Sequence, residues 1–395
     1  MKKLGAKCYV IVVFAFLALG GLSLVFGKPR EFSQNENRYL QKRPEITMEG
    51  ILSAQVQKEM ESYACDQLIG RDAWMAVATN TKRLINRSEI NGVYLGKDGH
   101  LFQRLSDNQV SHDNYEKNMQ LLQDFGENNG IPVSFLLVPD AAIVLKDDLP
   151  KGALVLDGDT YYASGGVPDL REPLQEALLS GTDPYFRTDH HWNTDGAYIG
   201  AKVYLSSRQE TILPQEAYGM TTVSNDFYGT TYSKVAGLCG VRADELRLPT
   251  ELPKHLTVQT AGRADSVSLP TDSGEESVIW PDRLQELEKA GIYDLSKLQG
   301  KDQYAVYFGG NYGWLKITNP DEKAAGKRLL ILKDSFANSM VPYLLPYYET
   351  ITMVDLRYFN GSFAQVMEES DPTELLVLYE LTNFADEKNL YKILE

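Results

Sequence analysis

Cysteine is scarce in this chain, with only three cysteines among 395 residues. Cys8 lies in an apolar run, so Cys65 and Cys239 either form one disulfide or remain two buried thiols. A scaffold held together by several disulfides is therefore excluded. The chain is long enough to bury a substantial core without such bridges, as one large domain or two ordinary ones.

Positive charge is also scarce. The chain has 39 lysines and arginines against 54 acidic residues, so its net charge is −15. Residues 1–27 contain three lysines and no acid, so the rest of the chain carries −18. Such a surface repels polyanions, which argues against nucleic acid as a partner and favours a neutral polymer or a small substrate. The same acidity is also compatible with solubility as its only role.

The first 27 residues differ in character from the rest. Three lysines precede residues 8–26, a run without charge that would span about 28 Å as a helix and could cross a bilayer. No small-x-small cleavage site precedes Gly27, so we predict an uncleaved single-pass anchor in the cell membrane, with signal cleavage and secretion as the alternative. The lysines favour a cytoplasmic N-terminus and an extracellular remainder.

Histidine is the third scarce residue, and two of the five histidines are adjacent, at His190 and His191. A histidine acts as a general base when a carboxylate fixes its tautomer and stabilises the imidazolium. In an extended segment Asp189 and His191 would point the same way and His190 elsewhere. Asn193 or Thr194 would then cap a following helix, so the cluster is predicted to lie in a loop at a helix N-terminus.

Other interpretations of this cluster are open. Adjacent histidines are often surface residues or part of a satisfied polar patch under a loop. A metal site is a further alternative, although His100, His112 and His255 lack the spacing of a strong zinc motif. We predict no metal and no cofactor.

The last 70 residues alternate between apolar strands and helices. Strands are predicted at residues 328–332, 351–354 and 375–379, and another buried strand at 133–138. This alternation is typical of an α/β protein with a parallel sheet and right-handed crossovers. Ligands bind such sheets beyond the carboxyl ends of the strands.

Three loops should therefore converge at one edge of the sheet, carrying Ser335, Arg357 and the segment 380–383. Ser335 follows a strand and precedes a helix, where a nucleophile is exposed and backbone N–H groups can stabilise an oxyanion. Arg357 and Asn383 are candidate oxyanion donors. An Asp-Ser pair after a strand is also a common helix cap, which is the alternative for Ser335.

The middle of the chain is less regular. A polar stretch around residues 260–276 is interpreted as a surface insertion. Tyr232 and Lys234 lie in a turn-like context, and Asn311 follows two glycines, a pattern that usually forms only a turn but can place backbone near a ligand. These three residues and His190 are the weaker candidates for oxyanion or substrate binding.

Several short motifs together resemble the DHHW family and, through it, the alginate O-acetylation proteins of the SGNH hydrolase superfamily. They are Glu36-Asn37-Arg38, Gly96-Lys97-Asp98-Gly99, Val138-Pro139, Asp189-His190-His191-Trp192, Gly229-Thr230, Tyr232-Ser233-Lys234, Gly309-Gly310-Asn311-Tyr312, Lys333-Asp334-Ser335 and Ala337-Asn338-Ser339. The Asp-His-His-Trp box and the Lys-Asp-Ser-Phe turn are the most specific of them.

The resemblance implies an SGNH hydrolase-like three-layer α/β fold with a parallel sheet, a permuted order of catalytic blocks, and insertions. Asp189 would orient His191, His191 would be the base, and Ser335 would attack. The family's usual turn has glycine where this chain has Lys333, which would crowd the approach to Ser335. We predict a tether at residues 28–52 and a catalytic domain at 53–395, with an insertion at about 206–305.

The expected activity is that of an extracellular O-acetyltransferase or acetylesterase that acts on a surface polysaccharide. The resemblance also implies a membrane-bound O-acyltransferase as a partner that exports the acetyl group. The alternative is a catalytically inactive protein that binds polysaccharide or serves as a scaffold in cell-envelope assembly.

Overall fold

The computed structural model describes residues 2–85, 87–107, 110–162, 166–263, 288–290 and 292–394. The backbone divides into two compact units. The smaller contains Met1–Asn91 and Tyr232–Val241, and the larger contains Gly92–Thr231 and Arg242–Glu395. The predicted limits of the tether, the catalytic domain and its insertion remain predictions.

Helices and strands both occur throughout the described chain, and they alternate one by one over residues 328–386. The helices are α1 (Lys2–Phe26), α2 (Met48–Leu52), α3 (Gln55–Gln67), α4 (Arg71–Leu84), α5 (His112–Asn129), α6 (Ala141–Val144), α7 (Asp159–Tyr162), α8 (Arg171–Leu179), α9 (Thr194–Ser207), α10 (Thr230–Ser233), α11 (Ala337–Leu344), α12 (Phe363–Ser370) and α13 (Leu381–Asp386). The strands are β1 (Phe32–Ser33), β2 (Arg38–Tyr39), β3 (Glu89–Ile90), β4 (Val93–Leu95), β5 (Leu101–Gln103), β6 (Val133–Val138), β7 (Met220–Phe227), β8 (Asp244–Pro249), β9 (Thr257–Arg263), β10 (Glu288–Ala290), β11 (Tyr312–Thr318), β12 (Arg328–Lys333), β13 (Thr350–Val354) and β14 (Glu374–Glu380).

The smaller unit is mainly helical. Its helices α3 and α4 are separated by residues 68–70. Gly70 has a φ of 67°, in the left-handed region that favours glycine, so the backbone leaves the helical path there. Cys65 and Cys239 are both exposed and free, so they form neither the disulfide nor the buried thiols considered from the sequence. Within the described residues, no helix combines the length and the apolar character needed to cross a bilayer. The membrane anchor therefore remains a prediction.

The larger unit is built on a seven-stranded sheet in the order β10-β9-β11-β13-β12-β14-β6. Strands β13, β12, β14 and β6 are parallel, and β11, β9 and β10 extend the sheet antiparallel. The predicted parallel sheet is confirmed, with all four of its strands at the predicted places. Their carboxyl ends lie at one edge, where α11 and α13 begin.

The antiparallel half of the sheet was not foreseen from the sequence. Residues 257–263 form strand β9, although part of this segment was interpreted as a surface insertion. The strand is polar in sequence, but it pairs with β11 on one side and β10 on the other. Pairing with two neighbours satisfies its backbone and outweighs weak local propensity. The rest of that interpreted insertion, residues 264–276, lies outside the described part of the chain.

Side chains of the parallel strands alternate between two apolar layers. On β12, Leu329 and Ile331 pack in the layer that contains α9 and α11. Leu330 and Leu332 pack in the opposite layer, with α5, α12 and α13. Because successive residues of a strand point to opposite faces, helices on both sides bury the sheet. The result is the predicted three-layer α/β fold.

Strand β12, which is paired on both sides, supplies a stability test. Leu330 has no exposed surface, so Leu330→Ala should lower the free energy of unfolding by about 2–5 kcal/mol through lost apolar burial and the resulting cavity. Urea denaturation of the two proteins measures the difference. The matched control is Leu179→Ala, where the leucine is 87% exposed and the expected change is within about 0.5 kcal/mol. Equal effects of the two substitutions would contradict the layer assignment.

Candidate active site

The turn after β12 places Ser335 at the carboxyl edge of the sheet. Asp334 organises this turn through both carboxylate oxygens. Its Oδ1 accepts the Phe336 N–H at 2.9 Å, and its Oδ2 accepts the Glu380 N–H and the Asn383 Nδ2, both at 2.8 Å. Asp334 therefore fixes residues 334–336, the nucleophile turn named for its candidate nucleophile Ser335, against the end of β14. Ser335 itself is partly exposed.

The loop that carries the paired histidines is joined to this turn by Trp192. The indole is fully buried, and its Nε1 donates to the Phe336 carbonyl oxygen at 3.0 Å and to the Ser339 Oγ at 2.9 Å. Asn193 then caps α9, because its Oδ1 accepts the N–H groups of Asp195 and Gly196. Trp192 thus joins the histidine loop to the turn that carries Ser335, and Asn193 caps the start of α9.

These contacts bring Asp189, His191 and Ser335 together. His191 Nδ1 lies 2.5 Å from Asp189 Oδ1, and His191 Nε2 lies 2.7 Å from Ser335 Oγ. A carboxylate only accepts hydrogen bonds, so Nδ1 carries the proton of a neutral ring and Nε2 accepts from the Ser335 hydroxyl. In this arrangement the imidazole can remove the serine proton while the carboxylate holds the ring.

The Asp189 carboxylate is held by four hydrogen bonds. Its Oδ1 also accepts the His191 N–H at 3.0 Å, and its Oδ2 accepts the Thr230 N–H at 2.6 Å and the Thr230 Oγ1 at 3.0 Å. Burial alone would raise the pKa of Asp189. The charges of His191 and His190 and these hydrogen bonds outweigh burial and hold the pKa of Asp189 well below its usual range.

Position 229, just before Thr230, has room only for glycine. A Cβ atom at position 229 would overlap the Asp189 carboxylate, which lies directly against the glycine backbone. The Gly229-Thr230 pair therefore forms a cradle in which glycine makes room for the carboxylate and threonine donates to it. This assigns a structural role to a motif that the sequence alone left unexplained.

Aromatic rings enclose the His191 imidazole. The Tyr304 ring is stacked on it, with centroids 3.9 Å apart and an interplanar angle of 9°. The Phe336 ring lies at 4.8 Å and the His190 ring at 3.9 Å. His190 Nδ1 is 2.7 Å from Thr230 Oγ1, so His190 contacts the threonine that binds the Asp189 carboxylate. The His190 side chain is partly exposed.

The same groups do not fit a metal ion well. Ligand atoms of Asp189, His190 and His191 lie within 4.8 Å of one another, which satisfies a distance criterion for a shared cation. However, both Asp189 oxygens already accept N–H or O–H donors, and those donors would face the cation. His191 uses both ring nitrogens in hydrogen bonds. The donor set suits an imidazole held by a carboxylate better than a metal centre.

The oxyanion candidates Arg357 and Asn383 have other partners. Arg357 Nε and Nη2 donate to the two carboxylate oxygens of Asp355, at 2.9 and 2.7 Å. The Asn383 amide donates to Asp334, as part of the nucleophile turn. Both residues line a cavity of about 280 Å³ that also touches Asp334. Their placement suits support of the turn and contact with a ligand in that cavity.

Asn311 lies in a buried polar cluster under the nucleophile turn. Its Oδ1 accepts from Lys333 Nζ and from Asn338 Nδ2, each at 3.0 Å. Lys333 was expected to crowd the approach to Ser335. Its side chain is instead buried, and its Nζ also contacts Asn338 Oδ1 and, at 3.7 Å, Asp355. Burial lowers the pKa of Lys333 to about 8, although the Asp355 charge opposes this.

Tyr232 and Lys234 belong to the smaller unit. The candidate site described above lies within the larger unit and does not include them.

Comparisons with known proteins agree with the motifs in the sequence. The profile of the SGNH hydrolase-like domain of the acetyltransferase AlgX matches residues 93–278, and the profile of the DHHW proteins matches residues 284–354. The chain is thus related to both of these groups. It is also 28% identical over 170 residues to a Pseudomonas fluorescens protein named “Probable alginate O-acetylase AlgJ”. That match covers 38% of this chain and 42% of the relative.

Solved structures share the fold of this chain. A DHHW family protein from Eubacterium siraeum has a TM-score of 0.58 and 22% identity, over 77% of this chain and 95% of that one. Bacillus cereus PatB1, solved with a sulfonyl adduct, has a TM-score of 0.57 and 20% identity, over 76% and 97% of the two chains. The predicted resemblance and the SGNH-like fold are confirmed.

Some residues of the candidate site could not be recognised from the sequence. Thr230 was visible only as part of a short motif without an assigned role. Tyr304 had no local signal, because a tyrosine in an irregular, partly apolar segment is usually core. Phe336 and Asn338 were read only as part of the nucleophile turn. All four are defined by contacts between segments far apart in the chain.

The buried Asp189 carboxylate should make folding depend on pH. A carboxyl whose pKa is lower in the folded than in the unfolded state stabilises the fold above the unfolded pKa, near 4, and this stabilisation is lost as the pH falls. We expect the stability difference between the wild type and Asp189→Asn to be full at pH 7 and to shrink below about pH 4. Urea denaturation between pH 7 and pH 3 measures it.

Asp147→Asn, at an exposed aspartate, is the control. Its free energy of unfolding, plotted against pH, should run parallel to that of the wild type. A difference between wild type and Asp189→Asn that stayed constant down to pH 3 would show that the carboxylate is not specially stabilised.

Proposed function

We propose that this chain is a serine O-acetyltransferase or acetylesterase of the SGNH type, acting on a cell-surface polysaccharide through an acetyl-enzyme. The observation that carries the proposal is the continuous hydrogen-bonded series from Asp189 through His191 to the Ser335 hydroxyl. Kinship with an alginate O-acetylase and with an acetyltransferase domain supports acyl transfer as the reaction class.

In the first step, His191 Nε2 takes the proton of Ser335 as the serine oxygen attacks the acetyl carbonyl carbon. The imidazolium then gives this proton to the leaving oxygen, and the acetyl group stays on Ser335. In the second step His191 takes a proton from a sugar hydroxyl or from water, whose oxygen attacks the carbonyl carbon of the acetyl-enzyme. The bond from this carbon to the Ser335 oxygen then breaks, and the imidazolium returns the proton to that oxygen. Asp189 keeps the ring oriented and stabilises its charged form in both steps.

The oxyanion of each step needs N–H donors. The Ser335 N–H is one candidate, since it lies at the bend that leads into α11. The Asn311 amide is another, because Lys333 and Asn338 occupy its oxygen and thereby set the orientation of its NH₂ group. Arg357 remains a candidate for contact with the acceptor in the adjacent cavity.

The acceptor is proposed to be a sugar hydroxyl of a polymer with little negative charge. The net charge of −15 opposes the approach of a polyanion, and alginate is itself a polyanion. A second cavity, of about 430 Å³, is lined by residues on both sides of the histidine loop, such as Arg187 and Asn193. Among its lining residues, each of the two arginines is paired with an aspartate, Arg187 with Asp244 and Arg247 with Asp195. The lining therefore offers no unpaired cation to an anionic polymer, which suits neutral hydroxyl-rich ligands. A membrane-bound O-acyltransferase remains the proposed acetyl donor partner.

Substitution of the nucleophile tests the reaction. Ser335→Ala and His191→Ala should each lower kcat/KM on an aryl acetate by about a thousandfold or more, because the members of a triad act as one unit. A sulfonyl fluoride should label the wild type at Ser335, as identified by peptide mass spectrometry, and should leave Ser335→Ala unlabelled. Ser180→Ala, at an exposed serine, is the control and should keep full activity.

The enzyme proposal would be contradicted if the Ser335→Ala and His191→Ala variants turned over the aryl acetate as fast as the wild type, or if Ser335→Ala were labelled like the wild type. The inactive polysaccharide-binding or scaffold protein would then be the better hypothesis.

The proposed location is the cell membrane, with the larger unit outside the cell. The uncharged run at residues 8–26 is the observation behind it. The full chain expressed in bacteria should stay with membranes after alkaline carbonate extraction, whereas a chain that starts at residue 28 should not. Recovery of the full chain as a shortened, secreted protein would instead support signal cleavage.

A further inference from the structure

Tyr304 contacts both of the residues that exchange a proton in the proposed reaction. Its ring is stacked on the His191 imidazole at 3.9 Å and nearly parallel to it. Its hydroxyl lies 3.0 Å from the Ser335 carbonyl oxygen, to which it donates. The side chain is 5% exposed, so both contacts are made away from solvent.

The Tyr304 hydroxyl also takes part in a shared hydrogen-bond centre. It lies 3.1 Å from the Ser339 Oγ, the same atom that accepts the Trp192 Nε1 at 2.9 Å. Trp192 follows His191 in the chain, and Ser339 lies one turn beyond Ser335. The histidine loop, the nucleophile turn and the turn that carries Tyr304 therefore meet at one serine hydroxyl.

The stacked ring also has an electrostatic effect. The face of a phenol ring is electron-rich and attracts a cation, and the attraction is larger where water is excluded. When His191 takes the serine proton, its positive charge forms directly over the Tyr304 ring. Burial raises the pKa of Tyr304 well above its usual value, so the phenol keeps the proton that it donates.

We propose that Tyr304 is a positioning residue that couples base and nucleophile. Its ring stabilises the His191 imidazolium, and its hydroxyl holds the Ser335 backbone at the distance that proton transfer requires. The proposal rests on the acyl-transfer function proposed above. It adds to the reaction a fourth residue, which lies 113 positions after His191 and 31 before Ser335 in the chain.

The two parts of the proposal can be separated by substitution. Tyr304→Phe keeps the ring and loses the hydroxyl, so kcat should fall about 3- to 10-fold, in line with the loss of one hydrogen bond. The acid limb of the profile of kcat/KM against pH should stay in place. KM should change little, because Tyr304 is buried and acts on the reacting residues.

The electrostatic part is tested with phenylalanine analogues of increasing fluorination at position 304. Fluorine withdraws charge from the ring face and barely alters its shape, so the fold should be kept. From phenylalanine to pentafluorophenylalanine, kcat/KM should fall about 10- to 30-fold, as expected for loss of a desolvated cation–π contact. The acid limb should move to lower pH step by step, because a less stabilised imidazolium forms only at lower pH.

Tyr307→Phe is the matched control. The Tyr307 ring is as deeply buried, lies 5.3 Å from the Tyr304 ring, and has its hydroxyl near the Arg247 carbonyl oxygen, outside the triad. This variant should keep the wild-type rate and pH profile. Thermal unfolding of each variant separates loss of fold from loss of rate.

The outcomes distinguish this proposal from the function on which it depends. Turnover that is lost in Ser335→Ala but unchanged in Tyr304→Phe would overturn the positioning role of the hydroxyl. A flat response to fluorination, in rate and in the acid limb, would overturn the electrostatic role of the ring. A wild type without Ser335-dependent turnover would instead overturn the proposed function itself.

Discussion

One buried negative charge, the carboxylate of Asp189, constrains the structure around the site. A charge in the protein interior is costly unless it is fully hydrogen-bonded. Here His191 and Thr230 supply four donors, and Gly229 leaves the space that the carboxylate needs. The requirement links a loop near residue 190 to a turn some 40 residues later, and it fixes the imidazole in one tautomer.

The nucleophile turn also contains a buried carboxylate, that of Asp334, which must be hydrogen-bonded. Asp334 accepts backbone and side-chain donors from its own turn and from the segment after β14, so the end of the parallel sheet determines the position of Ser335. Trp192 and Tyr304 then hold the two halves together through Ser339. Preorganised contacts of this kind keep reacting groups in place before substrate arrives.

The residues that the sequence could identify are those with a local pattern. Four strands of the sheet were predictable because their apolar runs are bounded by loops and helices. Ser335 was predictable as a candidate because a strand-to-helix bend exposes its side chain, and His191 because an aspartate lies two residues before it. Strand β9 was misread because its polar sequence forms a strand only when β10 and β11 pair with it.

Lys333 shows how position in the chain differs from position in space. It stands next to the nucleophile turn, yet its side chain points into a buried cluster with Asn311 and Asn338. Local pattern was enough to establish the α/β class, the parallel strands and the identity of three candidate reacting residues, because each depends on neighbours within a few positions. The cradle of the acid, the stacked Tyr304 and the distance from imidazole to serine arise from contacts across 30 to 140 residues. Such contacts form only when the chain folds and its segments pack against each other.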